Sequence, residues 1–204
     1  MKKTLIKTLL AAPLLVLSAT SCNMMNPGPL PEDIVGDTPG ELQSKIGDLL
    51  DQAGTDSTRV EFAEITSTFL YKPGDNTAHV SIQIISPDDK NQMEQYDWND
   101  MKDRRNMYEK YDLTVSTMVS SDVVDSYEGY KDMLFTYNDI KTYLNNLPGY
   151  CKEALEASGY KDKGYIDNFT ISHDRAIISV KHKDGGFSKT YEISQDGKGI
   201  VIPE

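Results

Sequence analysis

Apolar and polar residues alternate in several short stretches, most regularly between Ala78 and Ile84 and between Ala176 and His182. A period of two puts successive side chains on opposite faces of a strand, and one buried face with one wet face is typical of antiparallel sheets. Glycine-containing segments at 184–186 and 196–199 indicate hairpin turns. The pattern predicts strands over residues 63–71, 78–84, 92–98, 113–119, 176–182, 187–193 and 200–202.

A helical period occurs between Leu42 and Ala53, where apolar residues recur every three or four positions. The preceding segment Thr38-Pro39-Gly40-Glu41 has the form of a capping box with Pro39 at the first helical position, and Gly54 follows as a stop signal. We therefore expect an amphipathic helix that begins at Pro39 and ends before Gly54.

Further helices are predicted between and after the first strands. The charged segment from Asp100 to Lys110 favours a surface helix, and Val123, Tyr127, Tyr130 and Leu134 have the spacing of a connector helix within residues 121–134. The helical period continues from Ile140 to Leu147. Pro148 is expected to restart that helix and Gly159 to end it.

The order of these elements predicts an α+β fold in which helices pack on an antiparallel sheet. Residues 39–120 and 139–202 each give a helix followed by about four strands, which indicates two tandem units, 38–120 and 121–204. This layout resembles that of PepSY-like domains and of β-lactamase-inhibitor-like proteins. The resemblance implies a non-enzymatic protein that binds other proteins through an open sheet face. Whether the units form one domain or two is left open by the sequence.

Residues 1–21 have the order of a secretion signal: three lysines, an apolar run from Leu9 to Leu17, and small residues before Cys22. The run contains Pro13 and is far shorter than the roughly 20 apolar residues that span a bilayer, so no permanent span is expected. Ala19-Thr20-Ser21-Cys22 resembles the lipobox of bacterial lipoproteins, which implies a diacylglycerol on the Cys22 sulfur. An ordinary signal peptide followed by an unmodified cysteine is the alternative.

Residues 22–37 contain the proline-rich stretch Pro27-Gly28-Pro29-Leu30-Pro31 and have no apolar period. Proline-rich chain extends by about 3.1 Å per residue, so this segment predicts a tether of roughly 45 Å. Lipoproteins of this type carry at least two acyl chains, which anchor a protein stably. Asn23 occupies the position where an aspartate retains some lipoproteins at the inner membrane, so the outer membrane is predicted, on a face that the sequence leaves open.

Charge narrows the range of partners. Three of the 21 basic residues lie in the predicted signal, so 18 remain against 32 acidic ones, a net charge of about −14. A chain of this charge is repelled by nucleic acid and by anionic lipid surfaces. Nucleic acid is therefore not an expected partner, and the acidic balance is interpreted as a source of solubility.

The second cysteine, Cys151, shares the small apolar face of a predicted helix with Ala154 and Ser158. If Cys22 is acylated, the two cysteines cannot form a disulfide. We expect Cys151 to be a buried core residue that acts as a small hydrophobe and not as a nucleophile.

Candidate chemistry is sparse in the sequence. The three histidines, His79, His173 and His182, are predicted on a polar strand face, in a turn and at a strand end, and none has a metal-binding spacing. Asp97 to Asp103 begins like a calcium loop but lacks the required glycine and glutamate, since Lys102 and Tyr108 stand there. Asp88-Asp89 is predicted in a solvated turn. We expect no metal and no cofactor.

Aromatic residues offer another route to binding, because twelve tyrosines and one tryptophan are present. Tyr96, Trp98, Tyr108 and Tyr111 lie close together in the sequence, and rings with a polar tip suit sugar or protein surfaces. Tyrosine also fills the rims of small cores, and that structural interpretation is the alternative.

Serine-nucleophile, Walker and dinucleotide motifs are absent from the sequence. The leading hypothesis is a lipid-anchored, non-catalytic binding module of the cell envelope, whose partner is another envelope protein or a glycan. The alternative is an envelope hydrolase that uses carboxylate catalysis on the sheet face, because paired carboxylates meet only in the fold.

Overall fold

Ten strands and three helices make up the computed structural model, which describes residues 40–73, 76–100, 107–112, 115–116, 123–124, 126–173 and 175–202. The helices are α1 Glu41–Gln52, α2 Tyr127–Tyr130 and α3 Tyr137–Ser158. The strands are β1 Phe62–Leu70, β2 Thr77–Ile85, β3 Gln92–Asn99, β4 Met107–Asp112, β5 Val115–Ser116, β6 Val123–Val124, β7 Gly164–Ser172, β8 Arg175–His182, β9 Lys189–Ile193 and β10 Ile200–Val201.

Eight of these strands form one antiparallel sheet in the order β10-β9-β8-β7-β1-β2-β3-β4. Strand β1 pairs with β7, so segments about a hundred residues apart meet at the centre, where Thr66 lies opposite Thr170. Helix α1 packs on β2 and β3, and α3 packs on β7, β8, β9 and β10. The predicted α+β architecture, with helices packed on an antiparallel sheet, is confirmed.

One apolar core fills the space between the helices and the sheet. Leu42 and Ile46 from α1 and Leu144 and Leu147 from α3 are almost fully buried there, together with alternate residues of the strands. The alternation predicted for residues 78–84 is confirmed, since its apolar members are buried and its polar members are partly exposed. Burial of these side chains is the main source of stability for the packing of the two helices on the sheet.

Helix α1 begins two residues later than the capping box predicts. Gly40 is the N-cap residue, with φ 88°, and its carbonyl accepts the first helical hydrogen bond from the N–H of Ser44 at 2.9 Å. The first residue of the helix is therefore Glu41, and Thr38 and Pro39 lie outside the described residues. A positive φ suits glycine because it has no Cβ.

The predicted helix from Asp100 to Lys110 is wrong over its described part, because Met107–Asp112 is strand β4 paired with β3. The predicted strand at 113–119 is confirmed over its described residues, Val115–Ser116, which pair with Val123–Val124 in a separate two-stranded sheet and not with the main sheet. Charged residues are tolerated in β4 because it is the outermost strand described at this side of the sheet.

The predicted connector helix is reduced to a single turn, α2, followed by the 3₁₀ turn Lys131–Met133. Helix α3, by contrast, is longer than predicted and runs through Pro148 without restarting. Its predicted end is confirmed: Gly159 is the C-cap, with φ 72°.

Two apolar residues do not lie where a simple alternation puts them. A bulge in β1 between Phe62 and Glu64 shifts the phase, so Ala63 faces away from the helices. Phe187 lies in the loop before β9, and its side chain is 96% exposed. The rest of that prediction is confirmed, because Tyr191 and Ile193 are buried.

Candidate binding face

The side of the sheet opposite α1 and α3 carries mainly hydroxyl and amide side chains. Because strand residues alternate between faces, most buried core positions in the central strands are followed by a polar residue on this side, with apolar exceptions such as Ile85 and Ile177. We call this surface the open face, and its central members are Thr66, Thr68, His79, Ser81, Gln83, Gln95, Asp97, Asn168, Thr170, Ser179 and Thr190.

A chain of hydrogen bonds crosses the middle of the open face. The Thr66 hydroxyl donates to Oε1 of Glu64 at 3.0 Å and lies 3.4 Å from the Thr170 hydroxyl. Thr170 donates to Oδ1 of Asn168 at 2.8 Å, and Nδ2 of Asn168 donates to Oγ1 of Thr68 at 3.4 Å. These bonds fix the side chains of β1 and β7 relative to one another, so the polar groups form an ordered array.

A second polar cluster lies on β2 and β3. Nε2 of His79 is 2.9 Å from Oδ1 of Asp97, and Nε2 of Gln95 donates to Oδ2 of Asp97 at 3.0 Å. Gln83 in turn donates to Oε1 of Gln95 at 3.4 Å. Asp97 is only 3% exposed, so its carboxylate acts chiefly as an acceptor that orders the more accessible His79 and Gln95.

One corner of the open face is covered by the segment that contains α2. Ala63, Ile85 and Met93 form a small apolar cluster there, and Tyr127, Tyr130 and Leu134 pack against it. Burial raises the pKa of Tyr130, and the nearby Glu64 carboxylate adds to the effect. Tyr130 thus limits the open face at the corner beside Glu64.

Tyr127 is held at the rim of this corner. Its hydroxyl donates to Oε1 of Glu61 at 2.7 Å, and the Lys90 ammonium lies 4.3 Å from the ring centroid. The contact with Tyr127 and the charge of Glu61 raise the pKa of Lys90. A hydrogen bond and a cation–π contact thus hold the segment that contains α2 against the sheet.

The three histidines are not brought together. His173 is in the exposed turn between β7 and β8, with φ 37°, as predicted. His182 is at the opposite end of β8, where Nδ1 accepts the N–H of Asp184 at 3.1 Å and the ring meets Tyr160 edge-on at 5.3 Å. Across the part of the chain that the structure describes, no group of three metal-binding side chains is found.

The predicted aromatic group is not a single exposed surface. Tyr96 is buried and donates to Oε2 of Glu94 at 2.6 Å, and Trp98 packs at the edge of the core under the Lys45 ammonium, 4.7 Å from its ring centroid. Tyr108 and Tyr111 are in β4, where the structure describes backbone only. For Tyr96 and Trp98 the structural interpretation is therefore the correct one.

Other singled-out residues have structural roles. Cys151 is buried at 1% exposure in the small apolar face of α3, so the predicted core position is confirmed. Asp88 and Asp89 are exposed in the turn between β2 and β3, as predicted, where Asp89 accepts the N–H of Asn91 at 2.9 Å. Asp100 accepts the N–H of Ala78 at 2.7 Å and so ties the end of β3 to β2.

A cavity of about 180 Å³ lies beside the corner covered by α2, between the segment after α1 and the end of β2. It is smaller than the roughly 300–1,000 Å³ of typical ligand pockets. Among the described residues, Glu61 is the one carboxylate that lines it; Arg59 and Lys90 also line it. The described lining therefore does not provide the two facing carboxylates that a glycoside-cleaving site needs.

Searches against protein-family models, curated proteins and solved structures found no match to this chain. Within the described residues, no helix has the length and apolar character needed to cross a bilayer. The fold and the open face are therefore the observations from which a function has to be argued.

Proposed function

We propose that the protein is a lipid-anchored envelope lipoprotein that binds another envelope protein or a glycan, without catalysis, through the open face. The observation that carries the proposal is the ordered array of hydroxyl and amide groups on that face, away from both long helices. Such groups donate and accept hydrogen bonds without a cost of desolvating full charges, which suits a polar partner surface or a saccharide.

The proposed attachment rests on the sequence before the described residues. Residues 1–21 are the proposed signal, Cys22 the lipidated residue and 22–37 the tether. Anchored in this way, the body samples partners within a short distance of the membrane, which raises their effective concentration. Asn23 supports the outer membrane as the location.

We also propose that the body consists of two related units, each a helix followed by four strands. The sheet order is symmetric about the β1 and β7 pair, with α1 on one half and α3 on the other. This arrangement supports the resemblance to PepSY-like and β-lactamase-inhibitor-like proteins, for which an open sheet face is the expected protein-binding surface.

The alternative, an envelope hydrolase with carboxylate catalysis, has one supporting observation, the pair formed by His79 and Asp97 on the open face. A carboxylate that orders a histidine is a common acid–base arrangement. The pair lies on a sheet surface beside Ser81 and Gln95 and not in a cleft, so binding is the better supported function.

Site-specific photocrosslinking in intact cells tests the proposal. A benzophenone amino acid is placed in the full chain at Thr68 or Thr190, both exposed on the open face, and at Lys152 on the exposed side of α3 as the matched control. Mass spectrometry should identify one protein or glycan adduct that forms from the open-face positions and not from position 152.

The same experiment has two outcomes against the proposal. Adducts that form equally at position 152, or at none of the positions, contradict a binding role for the open face. Turnover of a glycan or peptide library by the wild type that is lost in Asp97→Asn would establish the hydrolase instead.

A further inference from the structure

The ends of the strands form two opposite edges of the sheet. The chain enters the folded body at the edge where β2 begins. Near the start of α1, the Lys45 ammonium lies 4.7 Å from the ring centroid of Trp98, close to the end of β3. After α1, Val60 lines a cavity with Ile85 at the other end of β2. Helix α1 therefore runs across the sheet from the first edge to the second, and the residues before Gly40 connect at the first edge.

Several loops lie at this same edge, because antiparallel neighbours begin where their partners end. Leu70 at the end of β1 pairs with Thr77 at the start of β2, and Gly164 at the start of β7 pairs with His182 at the end of β8. The loop of residues 183–188 between β8 and β9 is consequently on this edge too. We call this region the tether edge; it comprises residues 70–73, 160–164 and 182–189.

The tether edge presents the most exposed large apolar side chain of the described chain. Phe187 is 96% exposed, and Leu70 is 55% exposed. Gly185 and Gly186 precede Phe187 with φ values of 95° and 115°, conformations that glycine adopts readily because it has no Cβ. The Tyr160 hydroxyl donates to the Phe187 carbonyl at 3.4 Å, so the backbone is attached while the ring has no cover.

The charge at the tether edge differs from that of the whole chain. The carboxylates within its residues are Asp162 and Asp184, of which Asp184 pairs with Lys163 at 3.5 Å; the neighbouring Asp167 accepts the Ser188 hydroxyl at 2.8 Å. The lysines of the same region whose side chains are described are Lys72, Lys163, Lys183 and Lys189.

The edge is thus slightly basic, whereas the chain after the predicted signal has a net charge of about −14. Two of the lysines flank rings, since the Lys189 ammonium is 4.8 Å from the Tyr160 centroid and that of Lys183 is 5.9 Å from the Tyr71 centroid. Rings beside lysines are the composition found at membrane interfaces.

We propose that the tether edge lies against the anionic phospholipid surface in which Cys22 is anchored, with the Phe187 ring inserted at the boundary between headgroups and acyl chains. This inference rests on the proposed lipid anchor. Because the tether attaches at this edge, the edge can rest on the bilayer without the tether having to pass around the folded body. Repulsion between the acidic remainder and the anionic lipids favours the same orientation. In this orientation the sheet is upright on the membrane, and the open face remains accessible to partners.

Fluorescence quenching in vesicles tests this orientation. The full chain is expressed with its signal, and the lipidated product is purified and reconstituted into vesicles of phosphatidylcholine and phosphatidylglycerol, with or without brominated acyl chains. The background variant Trp98→Phe removes the single tryptophan, and Phe187→Trp then introduces one at the tether edge. Gln195→Trp, in the exposed β9–β10 turn at the opposite edge, is the matched control.

Brominated lipid should quench the tryptophan at 187 at least about twofold more than that at 195, because quenching requires entry into the acyl boundary. Adding Lys163→Glu and Lys183→Glu should reduce the difference. If the mass of the protein includes the lipid and both tryptophans are quenched equally, the docking of the tether edge is overturned. The proposed lipid anchor and the binding role of the open face are not affected by that result. A mass without lipid overturns the docking together with the anchor.

Discussion

His79 on β2 and Asp97 on β3 are joined across the open face, with Nε2 and Oδ1 2.9 Å apart. The histidine side chain is 37% exposed, whereas that of the aspartate is 5% exposed. The buried member thus supplies the acceptor, and the exposed member is held where a partner can reach it. The pair links the stability of this side of the sheet to the geometry of the binding face.

Asp97→Ala should lower the free energy of unfolding by about 1–3 kcal/mol, because His79 and Gln95 lose their common acceptor in a nearly buried position. Urea unfolding followed by circular dichroism measures the change. Thr190→Ala, at an exposed position of the same face, is the control and should have little effect. An Asp97→Ala variant as stable as the wild type would contradict the role assigned to this carboxylate.

Ser67 gives a prediction of opposite sign. It lies on the core side of β1, opposite Val80 and Phe169, and is 2% exposed. Within the described residues its hydroxyl oxygen has no hydrogen-bond partner. Ser67→Ala should therefore raise the free energy of unfolding by about 1 kcal/mol, since burial of an unsatisfied hydroxyl is unfavourable.

Denaturant midpoints of Ser67→Ala and the wild type measure that gain. Ser179→Ala is the control, because that hydroxyl is on the open face 3.4 Å from Thr190 and should not stabilise the protein when removed. A loss of stability in Ser67→Ala would show that the hydroxyl is satisfied in solution.

The start of α3 provides a pH-dependent prediction. Oδ2 of Asp139 accepts both the N–H and the hydroxyl of Thr136, each at 2.7 Å, and these bonds lower the pKa of the Asp139 carboxyl. A carboxyl with a lowered folded-state pKa stabilises the fold above its unfolded value of about 3.9 and loses that contribution as the pH falls through the folded value.

Asp139→Asn should therefore be less stable than the wild type at pH 7, by about 0.5–1 kcal/mol, the lower part of the range for helix caps. The difference should shrink as the pH falls below about 4. Denaturant unfolding at pH 7 and pH 3 checks both statements, with Asn138→Ala in the same exposed turn as control. A difference that persists unchanged at low pH would exclude the charged carboxylate as its source.

The parts of the fold that could be predicted are those where burial follows a simple period. Ile82 and Val180 lie in central strands, with one face in the core, so the alternation of their segments is preserved. Strand β4 was mistaken for a helix because an outer strand accommodates charged residues such as Glu109 and Lys110. Ala63 was misplaced because a bulge changes the phase, and a bulge leaves no trace in a hydrophobic pattern.

The candidate site was predictable only within each strand. The polar position of His79 follows from its neighbours in β2, whereas its contact with Asp97 depends on the register of β2 and β3. The bond between Thr66 and Thr170 requires the pairing of two segments far apart in the sequence. Phe187 is exposed because β9 begins only at Lys189, and the glycine turn in the sequence does not determine at which residue the strand begins.

Metabolic labelling with an alkynyl fatty acid tests the central claim, a lipid on the Cys22 sulfur, most directly. The wild type and Cys151→Ala, which changes the buried cysteine of α3, should both incorporate the label and sediment with membranes. Cys22→Ala should incorporate none and remain in the soluble fraction. An unlabelled wild type, or equal labelling of Cys22→Ala, would contradict the account.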